Sequence, residues 1–365
     1  MKKHSFFKEH IVLLVSLFFA LLSLFFVPPS REYFSYIDTN TLLLLFSLMV
    51  VVKTFEDSGA FLAISNKLLE KSRSTRALFL WMIFLCFFSS MILTNDVALI
   101  AFVPFTLLLL KQAHLETYAI PLLIFETIAA NVGSAFTPIG NPQNIYLYYF
   151  YGFSLEEFFQ TTGPLTLVTA LLLLAGSFFV FRHSSPLALS ITKSNIKKET
   201  LLWALLLFIL CLLSIFKLFN TYQSFLGVTI LTLFVKPKRL ISVDFSLLLT
   251  FVCFFIFSGN LQNLPAFQEM IQNLLKGREL LVTALLSQGI SNVPAAILLS
   301  KFTMAKNALL LGSNIGGLGT PVASLASLIT IRYFSKGGGE IKSFLLPFFR
   351  WNFAFLAFLL IFYSI

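Results

Sequence analysis

Apolar stretches without one ionised side chain recur from end to end of this chain, at 11–27, 41–52, 77–93, 97–110, 165–181, 201–216, 224–235 and 245–257. Runs of this kind bury themselves in hydrocarbon or in each other, and a soluble surface cannot be assembled around them. Composition agrees, because only 12% of the 365 residues are charged, against about 25% in an ordinary soluble domain. The net charge of +10 does not indicate nucleic acid. Its Lys and Arg residues sit in short clusters between apolar runs, where they act as topology signals rather than as one basic face. The basic start Met1-Lys2-Lys3 before 11–27 has no small-residue cleavage site ahead of Pro28-Pro29, so a retained first span is expected. Cys86, Cys211 and Cys253 lie inside apolar runs without metal-ligand spacing, and neither a disulfide framework nor a metal site is expected.

Several further apolar pieces are too short to span a bilayer: 119–130 continuing through 145–153, 280–290 with 295–299, and 308–312 continuing through 324–333. Pieces interrupted by Gly, Pro and Asn must face protein or a water-filled cavity, and broken segments of this kind mark transport sites. Two interruptions are related. Asn131-Val132-Gly133-Ser134-Ala135-Phe136-Thr137-Pro138-Ile139-Gly140 aligns with Asn314-Ile315-Gly316-Gly317-Leu318-Gly319-Thr320-Pro321-Val322-Ala323 at an offset of 183 residues. Each is preceded by a second Asn-bearing interruption, Thr94-Asn95-Asp96-Val97 and Ser291-Asn292-Val293-Pro294, at an offset of 197. Two ordered motifs at similar offsets indicate an internal duplication.

The predicted fold is an all-α polytopic membrane protein, an inverted-repeat transporter with two re-entrant hairpins and two unwound transmembrane helices. Its parts are an N-terminal span over 1–40 and a first inverted repeat over 41–163, with its hairpin at about 77–110 and its broken helix at about 119–153. Connecting spans follow over 164–222. A second inverted repeat covers 223–334, with its hairpin at about 279–300 and its broken helix at about 307–333, and a C-terminal span covers 335–365. Reading 77–110 as two full spans preserves the same parity. Loop charge sets the orientation: 53–76 carries five basic against three acidic residues. Counting from an inside N-terminus also places Arg182, Lys193, Lys197, Lys198, Lys236, Lys238, Arg239, Arg332, Lys336 and Lys342 inside, with Glu156-Glu157 and the C-terminus outside.

Among the acidic residues only Asp96 and Glu126 lie well inside apolar segments, where an ionisable group is costly and functional by default. Thr94, Asn95 and Asp96 offer hydroxyl, amide and carboxylate oxygens at a turn, a set suited to a hard cation or a proton. The bland alternative is that Asp96 caps the following half-helix. Glu126 either couples protons or cations or pairs structurally. Asn131, Asn141, Asn144, Asn292 and Asn314 fall at breaks beside Gly, Ser or Pro. Gly133, Gly140, Gly316, Gly317 and Gly319 permit unwinding, and Pro138 and Pro321 keep the helix from reforming. His114 and His183 sit in polar connections and are expected to be solvated. Enzyme templates are missing: there is no His pair one turn apart, no Gly-x-Ser-x-Gly elbow and no phosphate-binding Gly-Lys-Ser/Thr loop. An intramembrane hydrolase would have only Glu126 as a partner for Asp96. A passive channel lined by Asn and backbone carbonyls is the remaining alternative to a transporter.

At these residues the sequence resembles the ion transporter superfamily of arsenite permeases, arsenite-permease-like sodium/proton antiporters, and citrate and dicarboxylate/sodium symporters. The resemblance runs through Leu93-Thr94-Asn95-Asp96-Val97-Ala98-Leu99, Ala130 to Ser134, Thr137-Pro138-Ile139-Gly140-Asn141-Pro142-Gln143-Asn144, Ser287 to Ala295, and Gly312 to Thr320. It implies a scaffold and a transport domain, a mid-membrane site between two hairpins and two unwound helices, a homodimer and an elevator motion. It also implies cation binding at Thr94, Asn95, Ser291 and Asn292, where the dicarboxylate branch has Ser-Asn-Thr tips. The third tip position departs from that pattern, with Asp96 and Val293, which favours the arsenite-permease or antiporter branches. The expected function is ion-coupled secondary transport of a small anion or oxyanion, inorganic or carboxylate, across the cytoplasmic (inner) membrane of a prokaryote. The alternative within the superfamily is sodium/proton exchange. The expected ion and substrate ligands are Thr94, Asn95, Asp96, Asn131, Gly133, Ser134, Thr137, Asn141, Asn144, Ser291, Asn292, Asn314, Gly316, Gly317 and Thr320. Asp96 and Glu126 are the candidates for coupling to H⁺ or Na⁺, and no cofactor, resident metal or nucleic acid partner is expected.

Overall fold

The computed structural model describes residues 11–60, 63, 74–182, 185 and 196–364. The basic start at Met1-Lys2-Lys3, His183 and Lys193 lie outside these residues. The described chain is helical, and the helices of nine residues or more are α1 Ile11–Leu24, α2 Thr39–Ser58, α3 Thr75–Ser90, α4 Asn95–Gln112, α5 Ala119–Gly133, α6 Pro142–Phe150, α7 Leu155–Val180, α8 Lys198–Ile215, α9 Thr221–Val235, α10 Phe245–Gln262, α11 Pro265–Leu275, α12 Glu279–Ile290, α13 Asn292–Ser300, α14 Lys306–Ile315, α15 Leu325–Lys336 and α16 Ile341–Ser364. Among the described residues, seven helical stretches are long and apolar enough to cross a membrane, so the chain is a multi-pass membrane protein.

Polar residues delimit the apolar helices where helix-start rules place them. Asp38 caps α2 by accepting from the Thr41 amide, and Ser154 with Glu157, and Asn220 with Gln223, form capping boxes on α7 and α9. The apolar runs do not announce α11. It is amphipathic, with Ile271 and Leu275 buried one turn apart while Gln268 and Gln272 stay polar, so hydropathy alone misses it. The arms of the first hairpin, α3 and α4, have 16 and 18 residues, whereas those of the second, α12 and α13, have 12 and 9. At 1.5 Å per residue α4 reaches about 27 Å, close to a bilayer's hydrocarbon thickness, while α13 reaches about half of that.

Two cores organise the packing, and each draws on both halves of the sequence. One joins α3, α4, α5, α15 and α16; the other joins α2, α6, α8, α9, α10, α11, α12 and α13; α7 lies mainly in the first and α14 begins in the second, and each reaches into both. The two broken helices cross between them in opposite order. The first begins in the first core as α5 and ends in the second as α6, and the second begins in the second core as α14 and ends in the first as α15. Both breaks therefore lie on the boundary between the cores.

The basic connections meet in two groups. Asp57 at the end of α2 accepts from Lys236 (3.1 Å) and Arg239 (3.0 Å), the Lys197 amide donates to the Ser58 carbonyl, and the Thr75 amide donates to Ser185. Arg76 reaches the carbonyls of Phe181 and Arg182. Elsewhere Glu157 pairs with Lys306 at 3.0 Å. The half-exposed pairs, from Lys236 and Lys306, contribute little stability, whereas Arg239 is buried at 5% exposure; all of them record which connections meet. His114 is exposed, as expected.

Candidate functional site at the two helix breaks

α5 ends at Gly133 because the chain passes through one 3-10 turn, Ser134–Phe136, into extended backbone at Thr137 (φ −113°) and, beyond Pro138 and Gly140, at Asn141 (φ −140°). The second break, after α14, turns at Gly319, whose φ of +108° is a conformation that glycine adopts without strain. At the tip of the second hairpin Ser291 holds φ +76° and ψ 153°, a region costing on the order of 1–3 kcal/mol for a residue with a Cβ. Strain of this size persists where surrounding contacts over-determine it, and here the Ser291 hydroxyl and the Asn292 amide both donate to the Ala323 carbonyl, at 3.3 and 2.9 Å.

The contacts of the two halves correspond residue by residue at the offsets found in the sequence. The Asn95 amide donates to the Gly140 carbonyl (3.2 Å), as the Asn292 amide does to Ala323. The Thr137 hydroxyl donates to the Met91 carbonyl, as the Thr320 hydroxyl does to Gln288 (2.8 Å). A Cβ at Gly133 would come within 2.7 Å of Ser90 Oγ, and one at Gly316 within 2.7 Å of Ser287 Oγ. Each break is thus stitched to its own hairpin by the same pattern.

Across the halves the asparagines join. Asn131 Oδ1 accepts from Asn95 Nδ2 (3.0 Å) and from Ser324 Oγ (2.8 Å). Asn314 Oδ1 accepts from Asn141 and Gln143, both at 3.4 Å, and Asn314 Nδ2 donates to Asn144 Oδ1 at 2.8 Å. Asn141 also donates to Ser134 Oγ at 2.6 Å. The residue 183 positions after Asn141 is Ser324, so each half sends the first residue past its break to the break asparagine of the other. Asn314→Ala deletes one donor and the shared acceptor of two buried amides. It is expected to lower stability by about 3 kcal/mol, because each orphaned buried group costs about 1–3 kcal/mol. A thermal double-mutant cycle with Asn144→Ala is expected to show coupling above about 0.5 kcal/mol.

Of the expected residues, Asn95, Asn131, Ser134, Asn141, Asn144 and Asn314 form this network and are at most 4% exposed. Ser291, Asn292, Gly316, Gly317 and Thr320 pack at the second break, with a Cβ at Gly317 meeting Asn292 Nδ2 at 3.0 Å. Thr94 is the N-cap of α4 without a side-chain cap bond, and Asp96 sits in the first turn of α4. The first amide of that turn, from Asn95, bonds the Gly140 carbonyl, and the second, from Asp96, bonds Asn95 Oδ1. Glu126 stands apart: it is fully buried and its Oε1 accepts from Thr106 at 2.6 Å, tying α5 to the middle of α4. Reading the sequence for asparagines misses Gln143, Ser324 and above all Gln288, whose side chain bonds three carbonyls and the Thr320 amide. Applying the 183 offset to Asn141 finds Ser324, and a lone glutamine inside the apolar hairpin arm is the signal for Gln288.

Among the described residues, three buried polar atoms of the site have no hydrogen-bond partner: Asp96 Oδ1, Asn131 Nδ2 and Asn141 Oδ1. Native interiors leave few such atoms, and each calls for an explanation. Four helices, α4, α6, α13 and α15, begin at these breaks, and their N-terminal dipoles favour negative charge there. The orphaned acceptors Asp96 Oδ1 and Asn141 Oδ1 suit a cation or proton, and the orphaned Asn131 amide donor suits an anion.

A family model described as citrate transporter matches residues 7–308. The uncharacterized transporter MJ0456 of Methanocaldococcus jannaschii is 35% identical over 342 residues, 92% of each chain. The inner membrane protein YbiR of Escherichia coli is 35% identical over 317 residues, 84% of this chain and 83% of its own. In fold the chain matches the YdaH transporter of Alcanivorax borkumensis, which has an unusual topology, with a TM-score of 0.55 over 94% of this chain and 88% of that one at 15% identity. The chain is a membrane transporter, not an enzyme, and belongs to the citrate transporter family of the ion transporter superfamily.

Proposed function

We propose that this chain is a secondary active transporter that moves a small anion or oxyanion, coupled to a cation or proton held at Asp96. The observation that carries the reading is a pair of unpartnered buried atoms in the asparagine network on the boundary between two cores, Asn131 Nδ2 and Asn141 Oδ1, with the unpartnered Asp96 Oδ1 on the residue next to Asn95 of that network. Asn95, Asn131 and the unwound segment to Thr137 form one side of the site, and Asn292 with the segment from Asn314 to Thr320 forms the other. Among the described residues, no Lys or Arg enters the hydrogen-bond network of the breaks, so helix N-termini and amide donors hold the anion. Binding it beside Asp96 without a neutralising proton or cation would set like charges together, which is how coupling arises. Glu126 serves to hold α4 to α5 through Thr106.

The alternating motion we infer is an elevator in a homodimer. It is supported by the crossing of both broken helices between the two cores, which lets one core carry the site past the other. The basic connections that meet around Asp57 and Arg76 support a cytoplasmic face there. With the chain in the inner membrane of a prokaryote, we infer an N-terminus inside, a C-terminus outside and hairpins that enter from opposite sides.

The test is solid-supported-membrane electrophysiology on protein in liposomes, jumping arsenite, phosphate, sulfate, citrate, succinate and sodium in turn. One anion is expected to evoke a saturable transient current that Asp96→Asn loses. Sodium alone evoking current under a pH difference, with every anion silent, would reject anion transport in favour of sodium/proton exchange.

A further inference from the structure

The C-terminal end of α7 collects two guanidinium groups. Arg76, in the first turn of α3, donates its Nε to the Phe181 carbonyl at 2.9 Å and its Nη2 to the Arg182 carbonyl, and it stands over the Phe178 ring at 5.5 Å. Arg182 donates its Nε to the Phe179 carbonyl at 3.1 Å and covers the Phe179 ring at 4.3 Å. These bonds satisfy carbonyls at a helix end, as basic side chains there commonly do. A guanidinium has five N–H donors, so among the described residues most of the donors on both arginines meet no protein acceptor.

Charge at this end is not balanced by the protein either. Among the described residues neither arginine belongs to an ion pair. Glu116, in the turn whose Tyr118 ring packs 6.3 Å from that of Phe181, pairs with neither of them. The C-terminus of a helix supplies roughly half a negative charge, which leaves about one and a half positive charges of the two uncompensated. Neutral carbonyls and ring faces are poor substitutes for the carboxylate or phosphate oxygens that a guanidinium fork fits best.

The rings under these groups face lipid. Phe178 and Phe179 are 48% and 60% exposed on a helix long and apolar enough to cross a membrane. Phe178 also ends a stripe: Leu167, Leu171, Leu174 and Phe178 follow helical spacing on one face of α7, and all are exposed. From Leu167 to Phe178 the helix rises about 17 Å, which matches one leaflet of a hydrocarbon core about 30 Å thick. An apolar track one leaflet deep thus leads to a pair of unpaired cationic groups, and basic sites between membrane helices bind anionic headgroups.

We propose that Arg76 and Arg182 form a binding site for one anionic phospholipid, its phosphate held by the two guanidiniums and an acyl chain lying along the Leu167–Phe178 stripe. A lipid seated there bridges the start of α3 and the end of α7, two helices of the first core. The site is separate from the helix breaks, so it stands or falls independently of the transport reading.

The experiment measures the melting temperature of the purified full-length protein in detergent against added phosphatidylglycerol, phosphatidylcholine with the same acyl chains, and inorganic phosphate. Phosphatidylglycerol is expected to raise it saturably and phosphatidylcholine to leave it unchanged. No rise with phosphatidylglycerol, or an equal rise with phosphatidylcholine, overturns the proposal. A rise with inorganic phosphate that Arg182→Gln removes also overturns it, because the site would then take a soluble anion rather than a lipid. Arg182 is exposed and its side chain bonds only a carbonyl three residues back, so Arg182→Gln is expected to fold and to raise the half-saturating concentration of phosphatidylglycerol roughly tenfold, the effect of losing one charged hydrogen bond. Lys238→Gln removes an exposed lysine beside the Asp57 group and is expected to leave that concentration unchanged. Equal weakening by the two variants would show adsorption to overall positive charge and overturn the proposal. If Arg182→Gln does not fold, the comparison of the two lipids on the wild type still decides.

Discussion

Asp96→Asn is expected to silence anion-evoked current completely while leaving the protein folded and its melting temperature unchanged or raised. The two side chains have the same shape, so packing in the first turn of α4 is kept. Asp96 Oδ1 is buried without a partner, and a carboxylate in that position costs several kcal/mol when ionised. The substitution therefore removes a liability to stability, and what it removes from function is the titratable carboxyl next to Asn95 of the network. Glu126→Gln provides the contrast. Its Oε1 contact with Thr106 survives as an amide accepting the same hydroxyl, and the residue touches no break, so current is expected to persist. Current retained in Asp96→Asn, or lost only in Glu126→Gln, would move the coupling role from the breaks to the α4–α5 contact.

Gly133→Ala is expected to cost on the order of 3 kcal/mol and to show as a collapse of expression and melting temperature. The added methyl would collide with the Phe87 carbonyl and stand 2.7 Å from Ser90 Oγ. The first of these is main chain of α3, and it cannot rotate away as a side-chain tip does. α3 and α5 would have to separate, and the separation would break the Asn95–Asn131 and Thr137–Met91 bonds that hold the tip of the first hairpin to the break. Gly163, within α7, is the control: a Cβ there meets only Phe136, at 3.9 Å. Gly163→Ala should be neutral or stabilising by up to about 1 kcal/mol, the helix preference of alanine. Equal losses for the two glycines would show that close approach at Gly133 is not what the first hairpin depends on.

Much of this architecture follows from short-range rules. Uncharged runs had to become membrane helices, and Gly133, Pro138, Gly140, Gly319 and Pro321 had to interrupt them, because backbone conformation and missing amide donors act on the residue and its immediate neighbours. The 183 and 197 offsets reappear as matching contacts, Asn95 to Gly140 and Asn292 to Ala323, because duplicated segments fold by the same local rules. The helix α11 was not legible, since a half-polar helix gives no sustained apolar run.

Partnership, by contrast, is a long-range property. An asparagine at a break looks the same in sequence whether it binds an ion, caps a helix or bonds another asparagine, and hydropathy does not distinguish these. That Asn314 bonds Asn144, 170 residues away, and Asn131 bonds Ser324, 193 away, depends on two broken helices crossing between two cores in opposite order. The same crossing leaves Glu126 outside the network although it is only five residues from Asn131. It also brings Gln288 onto the carbonyls of the second break, where Met91, its counterpart in the first half, has nothing to donate. The chain's local chemistry settled that it crosses a membrane and where its helices fail; which failed ends meet, and with what polar atoms left over, was settled by the packing of segments far apart in sequence.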